Sequence, residues 1–229
     1  MLIGGVEKTS LVDYPEKLTA VVFTIGCNFR CGYCHNPELI KPKEDSKILD
    51  EEDFFTYLEK RKGLLDAVTI TGGEPTLQND LADFIKRVKD MGFLVKLDTN
   101  GCNPEIVENL INKGLLDYIA MDIKNSIDNY NKVVRNFTDK EKILKSIRLI
   151  MNSNVDYEFR TTTLKSLISM EDFEKIGEMI KGARKYYIQK FIPTKILNEN
   201  LANDINYTKE EFENIKTKME KYVNFVSIR

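Results

Sequence analysis

Short apolar runs rich in β-branched and aromatic residues recur at Thr19 to Thr24, Ala67 to Thr71, Phe93 to Asp98, Tyr118 to Ile123, Tyr157 to Thr162 and Tyr187 to Phe191. Runs of this length and composition read as buried strands. Between them lie amphipathic stretches with readable helix starts: Asp50 before EEDFFTYLEK, Thr138 with Glu141 three residues on, Ser169 with Asp172, and Thr208 with Glu211. Two more, near Asn79 to Met91 and Pro104 to Lys113, complete the alternation. Strand and helix in turn predict parallel strands joined by right-handed crossovers. Six units fall short of a closed eight-unit barrel, so the expected fold is α/β: an open or partial (β/α)6 barrel of the TIM type. The residues before Thr19 are expected to add an N-terminal strand or hairpin extension, and a doubly wound sheet stays open as the alternative. No linker or fixed-period repeat divides the chain, which predicts one domain over 1–229.

The bulk numbers narrow the function classes. With 229 residues, 42% of them hydrophobic, there is material for one sizeable core. Lys and Arg (34) nearly balance Asp and Glu (36) and are interspersed, so no basic face is set up for a nucleic acid. The apolar stretch Leu18 to Cys27 is too short to span a bilayer, and no export signal opens the chain, which predicts a cytoplasmic protein. In that compartment thiols stay reduced, so crowded cysteines read as metal ligands before disulfides.

Candidate chemistry follows each predicted strand: GCNFRCGYCHNP, GGEP, DTNG, MDIK, FRTTT and FIPTK in turn. In barrels the loops at the carboxyl ends of strands build the site. Cys27, Cys31 and Cys34 supply three soft donors, and a four-iron cubane so held keeps one iron open. The same residues admit rivals: a Cys3His zinc site completed by His35, c-type haem attachment at CGYCH, or a redox pair of Cys31 and Cys34. In TGGEP, Gly72 and Gly73 let main chain approach a ligand, Glu74 offers a carboxylate to an ammonium group, and Pro75 stiffens the turn. Asp98 and Asp122 end adjacent strands and face one cavity or simply cap the next loop. Arg160 points into the lumen or joins a surface ion pair. Gln189 and Lys195 are weaker candidates, and Cys102 stands apart at the same rim.

CxxxCxxC with Tyr33 before the last cysteine resembles the radical S-adenosylmethionine (SAM) signature. The longer string VVFTIGCNFRCGYCHNPE, preceded by KTSLVDYP, resembles the glycyl radical enzyme activating family, in particular its anaerobic ribonucleoside-triphosphate reductase branch. The resemblance implies an oxidoreductase that carries a [4Fe-4S] cluster on Cys27, Cys31 and Cys34 and reductively cleaves SAM to a 5'-deoxyadenosyl radical. It also implies SAM-binding roles for Tyr33, His35, Gly72, Gly73, Glu74, Asp98, Asp122, Lys124 and Arg160. In a pyruvate formate-lyase activating relative an aspartate at such a position helps bind a monovalent cation, which joins the expected cofactors. The implied partners are a glycyl radical enzyme, whose glycine loses its Cα hydrogen, and a flavodoxin or ferredoxin as electron donor. Only Cys102 remains outside the clip, so the chain has no second four-cysteine cluster. Alternatives are an enzyme similar to 7-carboxy-7-deazaguanine synthase, acting on a small molecule, and a non-catalytic zinc-binding module. One departure stands out: relatives usually carry glycine after DYP, where this chain has Glu16. The expected consequence is a changed surface turn and unchanged chemistry.

Overall fold

The computed structural model describes residues 1–42, 48–136 and 138–229. Its frame is one eight-stranded sheet in which spatial order equals chain order. β1 (Ile3–Ser10) pairs antiparallel with β2 (Thr19–Thr24), forming the expected hairpin extension. From β2 onward every pairing is parallel: β3 (Ala67–Gly72), β4 (Leu94–Thr99), β5 (Tyr118–Asp122), β6 (Asp156–Thr163), β7 (Tyr186–Lys190) and β8 (Val226–Ile228). β1 and β8 are the two edges, so the barrel is open. Six parallel strands were expected and seven are found among the described residues. β8 has three residues, too few for a period-2 pattern to show.

Each parallel step is crossed by helix: α1 (Glu51–Glu59), α2 (Leu81–Asp90), α3 (Pro104–Asn112), α4 (Tyr130–Val134) with α5 (Lys140–Met151), α6 (Met170–Met179) and α7 (Lys209–Met219). Local chemistry explains their starts. The Asp50 side chain accepts from the Glu52 N–H, and Ser169 with Asp172 and Thr208 with Glu211 form complete capping boxes. The expected cap Thr138 is displaced by one residue: Asp139, free to adopt the extended cap conformation, accepts from the Glu141 N–H instead.

Alternation along the strands splits the barrel into two environments. Val68, Ile70, Val95, Leu97, Ile119, Met121, Tyr157 and Phe159 are buried in the main apolar core with the helices. The intervening positions, among them Thr69, Lys96, Asp98, Asp122, Glu158 and Arg160, share the other face, which makes the lumen polar.

Glu16 has a structural meaning the sequence did not show. Tyr14 to Lys17 is a turn closed by the Lys17 N–H donating to the Tyr14 carbonyl at 3.3 Å, with Pro15 at its second position and Glu16 at its third, φ +60°. A positive φ at the third position of a Pro-initiated turn is where glycine is favoured, because a Cβ crowds the backbone there. Replacing Glu16 with Gly is therefore expected to stabilise the protein by up to about 1 kcal/mol, read as a higher urea midpoint at unchanged slope. A lower midpoint would contradict this account of the turn.

Candidate functional site

The loop after β2 carries the three cysteines and is stitched down by its own main chain. Gly26 and Cys27 donate to the carbonyls of Leu39 and Ile40 at 2.7 and 3.0 Å, so the loop returns on itself. Arg30 Nη1 donates to the Cys27 and Phe29 carbonyls, both at 2.6 Å, and the Arg30 N–H donates to the Val134 carbonyl at the end of α4. On the other side Leu197 and Asn198, beyond β7, donate to the carbonyls of Cys34 and Gly32. None of the four cysteines is in a disulfide.

The β3 loop lies directly against this one. A Cβ on Gly72 would sit 2.3 Å from the Thr24 nitrogen, and one on Gly73 would sit 2.1 Å from the Gly26 carbonyl oxygen. These glycines thus serve a close approach between two backbones, in addition to any approach to a ligand. Glu74 then knots three segments. Its carboxylate accepts from Thr76 N–H (3.2 Å) and Oγ1 (2.6 Å), from Thr99 Oγ1 (2.7 Å) and from the Asn100 N–H (2.7 Å). Burial raises its pKa despite those donors, with the side chain 1% exposed. Glu74 is committed to the scaffold more heavily than its sequence context indicated. Asn100 extends the knot, donating from Nδ2 to Asn28 Oδ1 at 2.9 Å.

Across the lumen runs a row of alternating charge. Lys96 Nζ contacts Asp98 Oδ1; Arg160 Nη1 lies 3.2 Å from Asp98 Oδ2, and Arg160 Nε lies 2.8 Å from Asp122 Oδ1; Lys124 Nζ is 2.9 Å from Asp122 Oδ2. Desolvation alone would raise both aspartates, but the Arg160 guanidinium and the neighbouring lysines outweigh it and hold both below the ordinary carboxylate range. Burial alone would lower Lys124 and Arg160; the carboxylates beside them push both upward instead.

One cavity, with about 590 Å³ of empty space out to its open mouth, is lined by Cys27, Cys31, Tyr33, Cys34, Gly72, Gly73, Glu74, Asp98, Asp122, Lys124 and Arg160. All the residues nominated for the cluster and SAM are brought there except His35. The His35 ring is turned to the rim, with Nε2 2.9 Å from the Ile192 carbonyl and its plane stacked on Phe191 at 5.9 Å. The Cys3His zinc set therefore lacks its fourth donor. Gln189 meets Thr162, and Lys195 pairs with Glu38 on the exposed rim. Cys102 is buried outside the lining, its thiol pushed up by burial. The sequence reading missed Lys96, Asn28 and Asn100. The period-2 spacing of Lys96 to Asp98 was the one available signal.

The donor set fits an iron-sulfur cluster. Cys27, Cys31 and Cys34 line one cavity with Lys124, and there desolvation raises Cys27 to about 11 and Cys31 to about 12 while the Lys124 ammonium opposes the rise. Among the described residues no three or more His, Cys, Asp or Glu side chains are placed to hold a single metal ion. A cubane spreads its thiolates over separate irons. Each of the four oxygens of Asp98 and Asp122 already meets a protein cation, so the pair offers an added monovalent cation no uncompensated charge.

Comparison with known proteins follows the same lines. The profile of the Radical SAM superfamily matches residues 21–183. A protein of Methanocaldococcus jannaschii named as a glycyl-radical enzyme activating enzyme is 38% identical over 233 residues, covering 100% of this chain and 95% of its own length. The pyruvate formate-lyase-activating enzyme of Clostridium pasteurianum is 30% identical, covering 96% of each. In structure, Streptococcus suis SuiB bound to S-adenosylmethionine superposes with a TM-score of 0.67 at 14% identity, over 91% of this chain and 49% of that one, which bears on the fold.

The charge row makes a pH-dependent prediction. Asp98 has a depressed folded pKa, so its contribution is present above the unfolded value of about 3.9 and is lost as pH falls from there through the folded value. Asp98→Asn is expected to cost about 3–5 kcal/mol at pH 7 because it strands two buried cations. In urea titrations the gap from wild type should narrow below about pH 4; a gap independent of pH would refute the pairing.

Proposed function

The chain belongs to the radical SAM superfamily, and from that premise we propose that it activates a glycyl radical enzyme, drawing one hydrogen from a glycine Cα of a protein partner. The observation that carries this reading is the convergence of three thiols, the β3 glycines and a paired charge row in one cavity, in a chain whose identity to activating enzymes runs its whole length. A four-iron cluster with SAM bound supplies reductive cleavage to methionine and a 5'-deoxyadenosyl radical.

The protein's own share is to bind, orient and exclude water. Cys27, Cys31 and Cys34 would hold the cluster as thiolates, their protons leaving on ligation, and the Lys124 ammonium favours the anionic form of Cys27 and Cys31. Tyr33, 4% exposed, walls the cavity under the Lys124 ammonium, which stands 5.9 Å from its ring centroid. The Gly73 N–H donates to the Thr24 carbonyl at 2.9 Å and the Glu74 N–H to the Gly26 carbonyl at 2.7 Å, so main chain at Gly72 and Gly73, held in place this way, would offer carbonyls to the amino group of SAM. Asp98, Asp122, Lys124 and Arg160 are paired with one another and so place fixed charges around the reacting region. His35 would act from the rim, bracing the clip against the segment after β7.

The mouth lies where the strands end, the place for a partner's flexible loop to enter. The partner we favour is an anaerobic ribonucleoside-triphosphate reductase, with a flavodoxin or ferredoxin as donor. No helix among the described residues is long and apolar enough to cross a membrane; a cytoplasmic site of action is part of this proposal.

Anaerobic reconstitution with iron and sulfide, followed by reduction with SAM present, tests the reading. The wild type is expected to release 5'-deoxyadenosine, and Cys34→Ala to fall to the level of a protein-free control; equal release by both would sink the enzyme assignment. Adding the reductase should then produce a glycyl radical signal in spin resonance. Its absence, with 5'-deoxyadenosine still formed, would reject that partner alone.

A further inference from the structure

The lumen row contains one member that the cofactor-site reading does not require. Lys96 is 2% exposed, lies two residues before Asp98 on the same face of β4, and is flanked in register by Thr69 of β3 and Tyr118 of β5. The Tyr118 hydroxyl is turned to Glu158, to which it donates at 3.0 Å, and Glu158 is in turn paired with Arg229 at 3.1 Å. The acid that Lys96 meets is Asp98. A lysine at a barrel position that an aliphatic side chain would fill is costly to desolvate. Its presence calls for a role.

Charge counting supplies one. Asp98 and Asp122 contribute two negative charges, and Lys96, Arg160 and Lys124 contribute three positive ones, so the row carries one net positive charge. Asp98 Oδ1 meets Lys96 and Oδ2 meets Arg160; Asp122 Oδ1 meets Arg160 and Oδ2 meets Lys124. We infer that Lys96 is a built-in counter-cation of the Asp98–Asp122 pair, doing in this barrel what a soluble monovalent metal ion does between carboxylates elsewhere. A hard cation needs oxygen donors with charge to spare. Here it would have to displace a tethered ammonium at high effective concentration, in a site that is already positive.

Lys96 is thus a positioning residue: it fixes Asp98 from below while Arg160 fixes it from the side, and the pair needs no ion from solution. The inference refines the cofactor-site reading, but it is tested on cluster-free protein, so either can fail without the other.

The test compares thermal unfolding in potassium, sodium and choline chlorides at equal ionic strength, together with a sodium-23 or thallium-205 resonance titration. Wild type is expected to unfold at the same temperature in all three salts and to show no saturable binding. Lys96→Met keeps the aliphatic stem and removes the charge; it should melt lower in choline and recover saturably with potassium or sodium. Lys96→Arg, which keeps the charge, should stay insensitive. A saturable rise in the wild-type melting temperature with either metal ion overturns the inference. So does a folded Lys96→Met that responds to none of the salts. If Lys96→Met does not fold, the wild-type and Lys96→Arg titrations still decide.

Discussion

A barrel lumen lined by charge is stable only if every charge finds a partner, and the rest of this molecule depends on the row from Lys96 to Lys124 that meets this condition. Arg160 is its centre, bonded to aspartates on the two preceding strands. Removing charge from such a row leaves a buried ion uncompensated, which costs far more than the net worth of any one pair. The row therefore fixes three strands, β4 to β6, relative to one another at the end where the loops form the cavity. It does so without spending apolar core, because the alternate positions of the same strands already pack against the helices.

A second knot sits where the β2, β3 and β4 loops meet. Glu74 ties the β3 loop to Thr99 and Asn100, and Gly72 and Gly73 press the same loop against the β2 backbone so closely that any side chain would collide. Both knots are polar, buried and satisfied, which gives rigidity of the kind a catalytic cavity requires. The cysteine loop hangs from this frame and is further held to α4 and to the segment after β7. The Cys27 and Cys31 thiols, raised by burial and opposed by Lys124, line the cavity with Cys34 as a soft corner, in contrast with the hard, fully paired carboxylates opposite. Sulfur ligation and ionic positioning thus occupy separate walls of one cavity.

The order of strands and helices was legible from the chain because it rests on local periodicity: six runs, their flanking caps and the loop after each were found within a few residues of their observed bounds. The cysteine clip, TGGEP, the two aspartates and Lys124 were legible as well, because each stands directly after a strand and carries a residue type with few structural uses there. What the chain alone left open was pairing. Arg160 meets Asp122 and Asp98 across 38 and 62 residues of sequence, and cross-strand register, not spacing, brings them together. Lys96 passed for an ordinary strand residue until its face was known. His35, adjacent to the last cysteine, turned to the rim because a carbonyl and an aromatic ring after β7 offered it partners. Local pattern determined the fold class and the soft donor set; tertiary contact decided which charges neutralise which, because that depends on cross-strand register.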